Sequence, residues 1–552
     1  MNLDTSTRRW PLWGLLTLAG VALLRLASLG RLALTDNTES RYGSIAWQMF
    51  HSGDWITPRV YVKGELVPFW GKPPLQFWLT SLSYHLFGVS EWSARLPSFL
   101  IAIALVAATA WFAQQLWGRR VAILSAIILA SSLLFFVLSG ACVLDVPLAA
   151  SVAGAMIAFA RFAEPGRHRK TWGLAFFLAL AVGALAKGPI ALVLVAVAIG
   201  LWLALVRRWR LLAELPWFRG LLVFAVVAVP WYLLAERATP GFLHYFFINE
   251  HFLRYVRNDY GDLYGYGRKR PYGAIWLMLL GSFLPWTLLA VAALVRGVRG
   301  QKLRKTVAAE PWLVYLLIWG LVPPLFFTFA RQVLFTYVLP GFPALAIATA
   351  VGLDRWMASD AAAGLLRLLK WQLIATTLLA AAAAVAAVKM TEVTIPVATA
   401  LALLVLVLDC MIWAGIRRWG PAVLTPAVGL ALAVGVTTGF FLLAPRIEEQ
   451  KSAKIILGEL YRQHPAARQR AVVVPFDESD YSVAYYAEVQ FGGRFQGCPP
   501  GGNKLIGQLL DRRGDEIFLM RRVDWERLKP ALSNRLVPLA QTAHWVACEG
   551  KP

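Results

Sequence analysis

The sequence predicts a mostly α-helical, multi-pass membrane protein of about 13 transmembrane helices, with helices lying along the external surface and a small C-terminal α/β domain. Three observations carry this. Of its 552 residues 58% are hydrophobic and only 15% charged, and the mean hydropathy is +0.58, outside the range of soluble globular chains. Apolar runs of about 18 to 22 residues, long enough to cross a hydrocarbon core of about 30 Å, recur near residues 20, 105, 129, 154, 179, 197, 227, 284, 318, 345, 379, 404 and 433. The basic residues gather in alternate loops: Arg8 and Arg9, Arg119 and Arg120, Arg167 to Lys170, Arg207 to Arg210, Arg296 to Lys305, Arg367 with Lys370, and Arg417 with Arg418. The net charge of +23 therefore marks cytoplasmic loops rather than a nucleic-acid surface.

At the start, Arg8 and Arg9 precede a long apolar run with no small-x-small cleavage site, which reads as an uncleaved anchor. Alternation then puts loop 31–94, the turns at Asp145 and Lys187, loop 237–271, the turn at Arg331 and the C-terminal tail on the external face. Within the first loop, Glu39 to Phe50 and Pro74 to Phe87 have helical apolar spacing and are expected to lie along the membrane surface. The spans fill a domain over 1–446. From 447 to 552 polar residues become frequent, and β-like runs at Ala471–Pro475 and Ile517–Met520 alternate with helical segments, a separate α/β domain. Cys142 and Cys410 lie in or beside spans and read as packing residues. Cys498 and Cys548 share the external tail, where a disulfide and two free thiols are both open.

The polar residues of the external face carry the chemistry. Asp36 and Glu39 fall where the chain leaves the first span, three apart: either a helix cap with a dipole carboxylate, or catalytic acids, or both. Asp145, before Val146-Pro147, adds a carboxylate at the mouth of another helix. Lys72 stands on the stiff Pro73-Pro74 backbone, a fixed cation or a snorkelling lysine, and Lys187-Gly188-Pro189 repeats the arrangement. Loop 237–271 holds Asn249-Glu250-His251, then Arg254, Arg257, Arg268, Lys269 and Arg270, basic charge on the side where little is expected. Guanidinium groups bind phosphate bidentately, so a phosphorylated lipid is the natural ligand, with contact to anionic lipid as the plainer alternative. Glu250 and His251 are candidates for a divalent metal, although no motif spacing supports one and no cofactor is required. Arg331 and Tyr337 add a cation and a phenol. No GxGxxG or Walker motif is present.

These pieces, namely D-x-x-E at Asp36 to Glu39, SGDW with Thr57-Pro58, KPPL at Lys72 to Leu75, ARLP at Ala94 to Pro97, D-x-P at Asp145 to Pro147, KGP at Lys187 to Pro189, EHxxR at Glu250 to Arg254 and R-x5-Y-x2-P at Arg331 to Pro340, resemble the bacterial GT-C membrane glycosyltransferases. Within them the likeness is to the lipid A aminoarabinose transferases. Those commonly read R-x-K-L-P-x-Y at the arginine loop, where this chain has Val333 and Phe335 in place of Lys and Pro. The resemblance implies an inner-membrane enzyme, expected as a monomer, that moves 4-amino-4-deoxy-L-arabinose from undecaprenyl phosphate to a lipid A phosphate on the periplasmic side, with resistance to polymyxin as the outcome. It implies an inverting displacement in which Lys72, Lys187, Arg254, Arg257, Arg270, Arg331 and Tyr337 hold phosphate, and Asp36, Glu39 and Asp145 act on acceptor or sugar. A polyprenyl-phosphate-dependent transferase acting on protein hydroxyls or another lipid is the alternative, and a lipid flippase a second one.

Overall fold

The computed structural model describes residues 3–35, 37–62, 65–256, 270–298, 309–330, 332–359, 362–390, 394–420, 423–476, 481–497, 501–512 and 515–551. Ten of the described helices are long and apolar enough to cross a membrane, or up to eleven if one bent pair is a single span. The difference from about thirteen lies in three places. Two apolar runs share the 40-residue helix α4, Glu91–Ala130, which is broken at Gly118 (φ 83°). The run near 284 is the bent pair, Ala274–Ser282 and Thr287–Arg296, at 105°. The run near 197 is α8, Ile190–Val206, only 17 residues long.

α1, Leu3–Ser28, leads into the segment that joins it to α4. There α2, Asn37–Ser52, and α3, Leu75–Phe87, bracket a hairpin of β1, Arg59–Val62, and β2, Glu65–Pro68, which no hydrophobic pattern announced. At 16 and 13 residues, α2 and α3 are about 24 and 20 Å long, short of the hydrocarbon core. α4 follows, then α5, Leu133–Leu138, α6, Asp145–Ala163, and α7, Arg169–Lys187. α6 is the most enclosed span, with 83% of its apolar window buried; its small residues Ala149, Ala153, Ala155 and Ala160 let neighbouring helices close on it. In contrast, the spans 363–385 and 395–419 are 17% and 11% buried.

The last long helix, Leu424–Lys451, runs past residue 446 into the tail. Beyond it a five-stranded sheet forms in the order β4-β3-β5-β7-β6, from β3 (Ala471–Val473), β4 (Arg494–Gly497), β5 (Ile517–Arg521), β6 (Leu536–Gln541) and β7 (Trp545–Gly550). β3 pairs in parallel with β4 and β5, and β7 antiparallel with β5 and β6. Cys548 is buried and donates weakly to the Phe518 carbonyl, while Cys498 lies outside the described residues. This C-terminal part is docked on the segment that follows α1 by polar contacts: the Ala33 amide donates to Glu448 (2.7 Å), the Leu34 amide to the Tyr486 hydroxyl (2.7 Å), and Lys454 pairs with Glu91 (2.8 Å).

Candidate active site

The site begins with a clamp at the end of α1. Glu39, in the first turn of α2, faces Arg95 of α4 with both carboxylate oxygens, at 3.0 Å from Nε and 2.7 Å from Nη2. The remaining guanidinium N–H groups donate to the carbonyls of Leu29, Leu32 and Ala33. Glu39 also accepts from the Cys142 amide at 2.8 Å. Burial alone would raise the Glu39 carboxyl, but the Arg95 charge and these hydrogen bonds hold it below the ordinary carboxylate range. All the groups of a buried arginine are thereby satisfied, which is the condition under which it is tolerated. The clamp fixes the backbone on either side of Asp36, which itself lies outside the described residues.

The second part is a cluster of charges from five elements. Lys187, the last residue of α7, meets Asp145 at the start of α6 at 2.5 Å, and its Nζ sits 4.9 Å from the centre of the Tyr337 ring. Lys72, just before Pro73-Pro74 and α3, pairs with Glu250. Glu250 is 3% exposed at its side chain and also takes Arg254 one turn on, at 2.8 and 3.0 Å. Arg254 reaches further to Gln332 at 3.2 Å. Burial pushes the Glu250 carboxyl up, yet the Lys72 ammonium and the Arg254 guanidinium outweigh it and hold it at about 2. Burial, with Arg254 and Lys187 as neighbouring cations, pulls Lys72 below the ordinary lysine value, and Glu250 opposes that shift.

Tyr42 and Arg41, next to each other on α2, join the two parts. Burial raises the Tyr42 phenol to about 12, and Arg41, Lys187 and Asp145 are all near enough to act on it by charge. Both ring nitrogens of His251 face backbone carbonyls: Nδ1 lies 2.7 Å from that of Phe246 and Nε2 3.4 Å from that of Lys187, and burial lowers its pKa. Among the described residues no group of three His, Cys, Asp or Glu side chains is arranged to hold a metal, and Glu250, a candidate ligand in the sequence, is occupied by two cations. Arg270 is half-buried, and its Nε has no hydrogen-bond partner among the described residues. Arg257 and Arg331 lie outside the described residues. No role for Tyr42 or Gln332 was legible in the sequence; Arg95 was visible as part of the ARLP motif, but its pairing with Glu39 was not.

The fold is thus a helical bundle carrying a cation and carboxylate cluster at one end, over a clamped loop after the first span. Among solved structures the chain shares its fold with ArnT from Cupriavidus metallidurans. It superposes on the undecaprenyl phosphate complex with a TM-score of 0.78 over 97% of both chains at 23% identity, and on the apo state with a TM-score of 0.76 at 24% identity. Residues 24–246 match the family model described as dolichyl-phosphate-mannose-protein mannosyltransferase. Curated relatives include the undecaprenyl phosphate-alpha-4-amino-4-deoxy-L-arabinose arabinosyl transferases of Enterobacter sp., 31% identical over 340 residues, and Erwinia tasmaniensis, 32% over 331 residues. The matched stretches cover 61% and 59% of this chain but 58% and 56% of those relatives, so the chain spans under three fifths of their length in these matches.

Proposed function

We propose that the protein is an inverting, lipid-linked-sugar-dependent glycosyltransferase of the bacterial inner membrane, moving 4-amino-4-deoxy-L-arabinose from undecaprenyl phosphate to a lipid A phosphate at the periplasmic face. Polymyxin resistance is the outcome expected of that reaction. The observation that carries the reading is the gathering of cations at one edge of the bundle: among the described residues Lys72, Lys187 and Arg254 stand together with Asp145 and Glu250. Ile248, Phe252, Phe329, Leu334 and Phe335 are exposed along the segments that carry Arg254 and Gln332, and suit a polyprenyl chain.

In this reading Lys72 and Arg254 bind the donor phosphate, and the charge that builds on it as the sugar leaves is stabilised by groups already in place. A lipid A phosphate is ionised near neutral pH and attacks without a general base. Asp36 would then orient the acceptor or stabilise an oxocarbenium-like sugar, and Asp145, shared with Lys187, would meet the sugar's ammonium group. Glu39 is assigned the positioning of the Asp36 backbone, through Arg95. Arg257, Arg270, Arg331 and Tyr337 are kept as further phosphate contacts. The match to the mannosyltransferase family model over 24–246 supports a second reading, in which the acceptor is a protein hydroxyl and Asp36 its base.

The deciding experiment is a lipid A mass spectrum from a Gram-negative host that makes the donor but lacks its own aminoarabinose transferase, with and without this chain. A pentosamine adduct on a lipid A phosphate is expected. Its absence despite good membrane expression would move the assignment to the hydroxyl acceptor. In the same host Asp36→Asn and Lys72→Ala should each abolish the adduct while leaving the protein in the membrane; activity in both would remove these residues from the site.

A further inference from the structure

A carboxylate stands on one of the spans least enclosed by the protein. The apolar windows of the helices Ala362–Met390 and Ile395–Trp419 are 17% and 11% buried. Asp409 lies on the second helix, about 21 Å along it from Ile395 and about 12 Å from Arg417. It lines a groove between the two helices, with Lys370, Ile374 and Thr377 on one wall and Leu406 and Trp413 beside it on the other. The Thr376 and Thr377 hydroxyls donate to one oxygen of the carboxylate at 2.7 and 2.8 Å, and Thr376 has a single hydrogen to share with the Leu373 carbonyl, 2.9 Å away. Among the described residues the other oxygen has no hydrogen-bond partner and Asp409 has no ion pair. Lys370 is no exception: it stands about 10 Å from Thr377 along its own helix, toward the Arg417 end, where a lysine extends to the interface.

Hydrocarbon offers no hydrogen bonds, so a carboxylate at such a depth is costly and is normally turned into a bundle or paired. Asp409 has only the two hydroxyls. An occupant of the groove that complements it brings a positive charge to the middle of the membrane. The ammonium of a lipid headgroup stays outside the hydrocarbon core. A second copy docked about a two-fold axis along the membrane normal would bring its own Asp409 to the same depth, like charge against like. A transmembrane helix of another chain presents side chains throughout the core, and the exposed Leu378 and Leu406 beside Asp409 give it an apolar surface to pack on.

We propose that this groove is the docking site of a partner transmembrane helix that carries one basic side chain at the depth of Asp409. The docking is separate from the transfer reaction, since neither helix supplies a residue to the Lys72, Lys187 and Arg254 cluster. The test reconstitutes the purified full-length chain in phosphatidylcholine vesicles with a synthetic helix of about 20 leucines that carries a central lysine and, beside it, a cysteine. Cys410 lines the groove and is exposed, while Cys142 and Cys548 are buried, so copper phenanthroline oxidation followed by peptide mapping reports occupancy at Cys410. The lysine helix should give about fivefold more adduct at Cys410 than the same helix with leucine in place of lysine, within the range of an interhelical polar contact. Asp409→Leu should bring the two helices to equal yield. If that variant does not assemble, Asp409→Asn, which keeps an acceptor for the threonines, is read in the same way. Equal yields with the unaltered chain, or a preference that survives the loss of the carboxylate, would overturn the inference. So would a Cys410–Cys410 disulfide between two copies that displaces the helix, or a preference lost when phosphatidylethanolamine replaces phosphatidylcholine, which would assign the groove to a second copy or to a lipid ammonium.

Discussion

Replacing Glu250 by glutamine tests whether the cluster is held together by charge. The carboxyl is 3% exposed, bonded to Lys72 and Arg254, and held at about 2. Against an ordinary glutamate value of about 4.3, that depression corresponds to roughly 3 kcal/mol of stability at neutral pH. It also agrees with the range of about 3 to 5 kcal/mol for breaking a buried pair. Because the folded pKa is the lower one, the contribution is complete above the unfolded value and disappears as pH falls through the folded one. At pH 3 the unfolded carboxyl is mostly protonated and the folded one still ionised, so roughly 1 to 1.5 kcal/mol remains. Thermal unfolding of the detergent-solubilised protein at pH 7 and pH 3 reads this directly. The unaltered chain should melt well above Glu250→Gln at pH 7, and the gap should shrink by more than half at pH 3. Other carboxylates titrate in the same window, but they do so in both proteins and cancel. An equal gap at the two pH values would refute the charge argument and leave Glu250 as a shape-filling residue.

Lys187→Met should destabilise the protein by about 3 kcal/mol by stranding Asp145, and the double variant with Asp145→Asn should recover at least half of that; a double-mutant cycle by thermal unfolding checks the coupling. Arg95→Lys keeps a charge but not the five donors, so it should lose most transfer activity and about 2 to 3 kcal/mol of stability, measured by adduct yield and melting temperature. The thiol of Cys548 is buried and pushed up to about 12, so a maleimide at pH 7 should label it only after denaturation; peptide mapping before and after distinguishes the two states.

Much of the scaffold was legible because lipid leaves a segment few options: a long apolar run must satisfy its backbone internally and becomes a helix. The surface helices followed from periodicity, with Glu39 to Phe50 observed as Asn37–Ser52 and Pro74 to Phe87 as Leu75–Phe87. The strands at 471 and 517 appeared as read, within two residues. What hydropathy could not give was where a run breaks, as at Gly118 or at the 105° bend, since a kink changes direction without changing composition. Nor could it give the hairpin at Arg59–Pro68 or the mixed order of the tail sheet, which depend on pairing rather than on pattern.

Pairing also separates the residues that were visible from the roles that were not. Glu39 looked like an acid for chemistry and is bound on both oxygens by Arg95, 56 residues away; Lys72 meets Glu250 across 178 residues and Lys187 meets Asp145 across 42. A sequence displays each charge but not its partner, and the partner decides the work. Glu39 and Arg95 balance each other and leave no charge to offer, so that pair can only hold the backbone. The outer cluster keeps like charges close: among the described residues Lys72, Lys187 and Arg254 stand around Asp145 and Glu250. Buried like charges repel, and neighbouring carboxylates or a bound anion offset that repulsion. A phosphate entering the cluster would relieve the repulsion from Arg254 and Lys187 that adds to burial in lowering the Lys72 pKa, and the relief would be greatest for a dianion. On the proposed function, the charge that a polyprenyl phosphate acquires as its sugar departs is of that kind, so these cations would hold the leaving group more strongly than the donor.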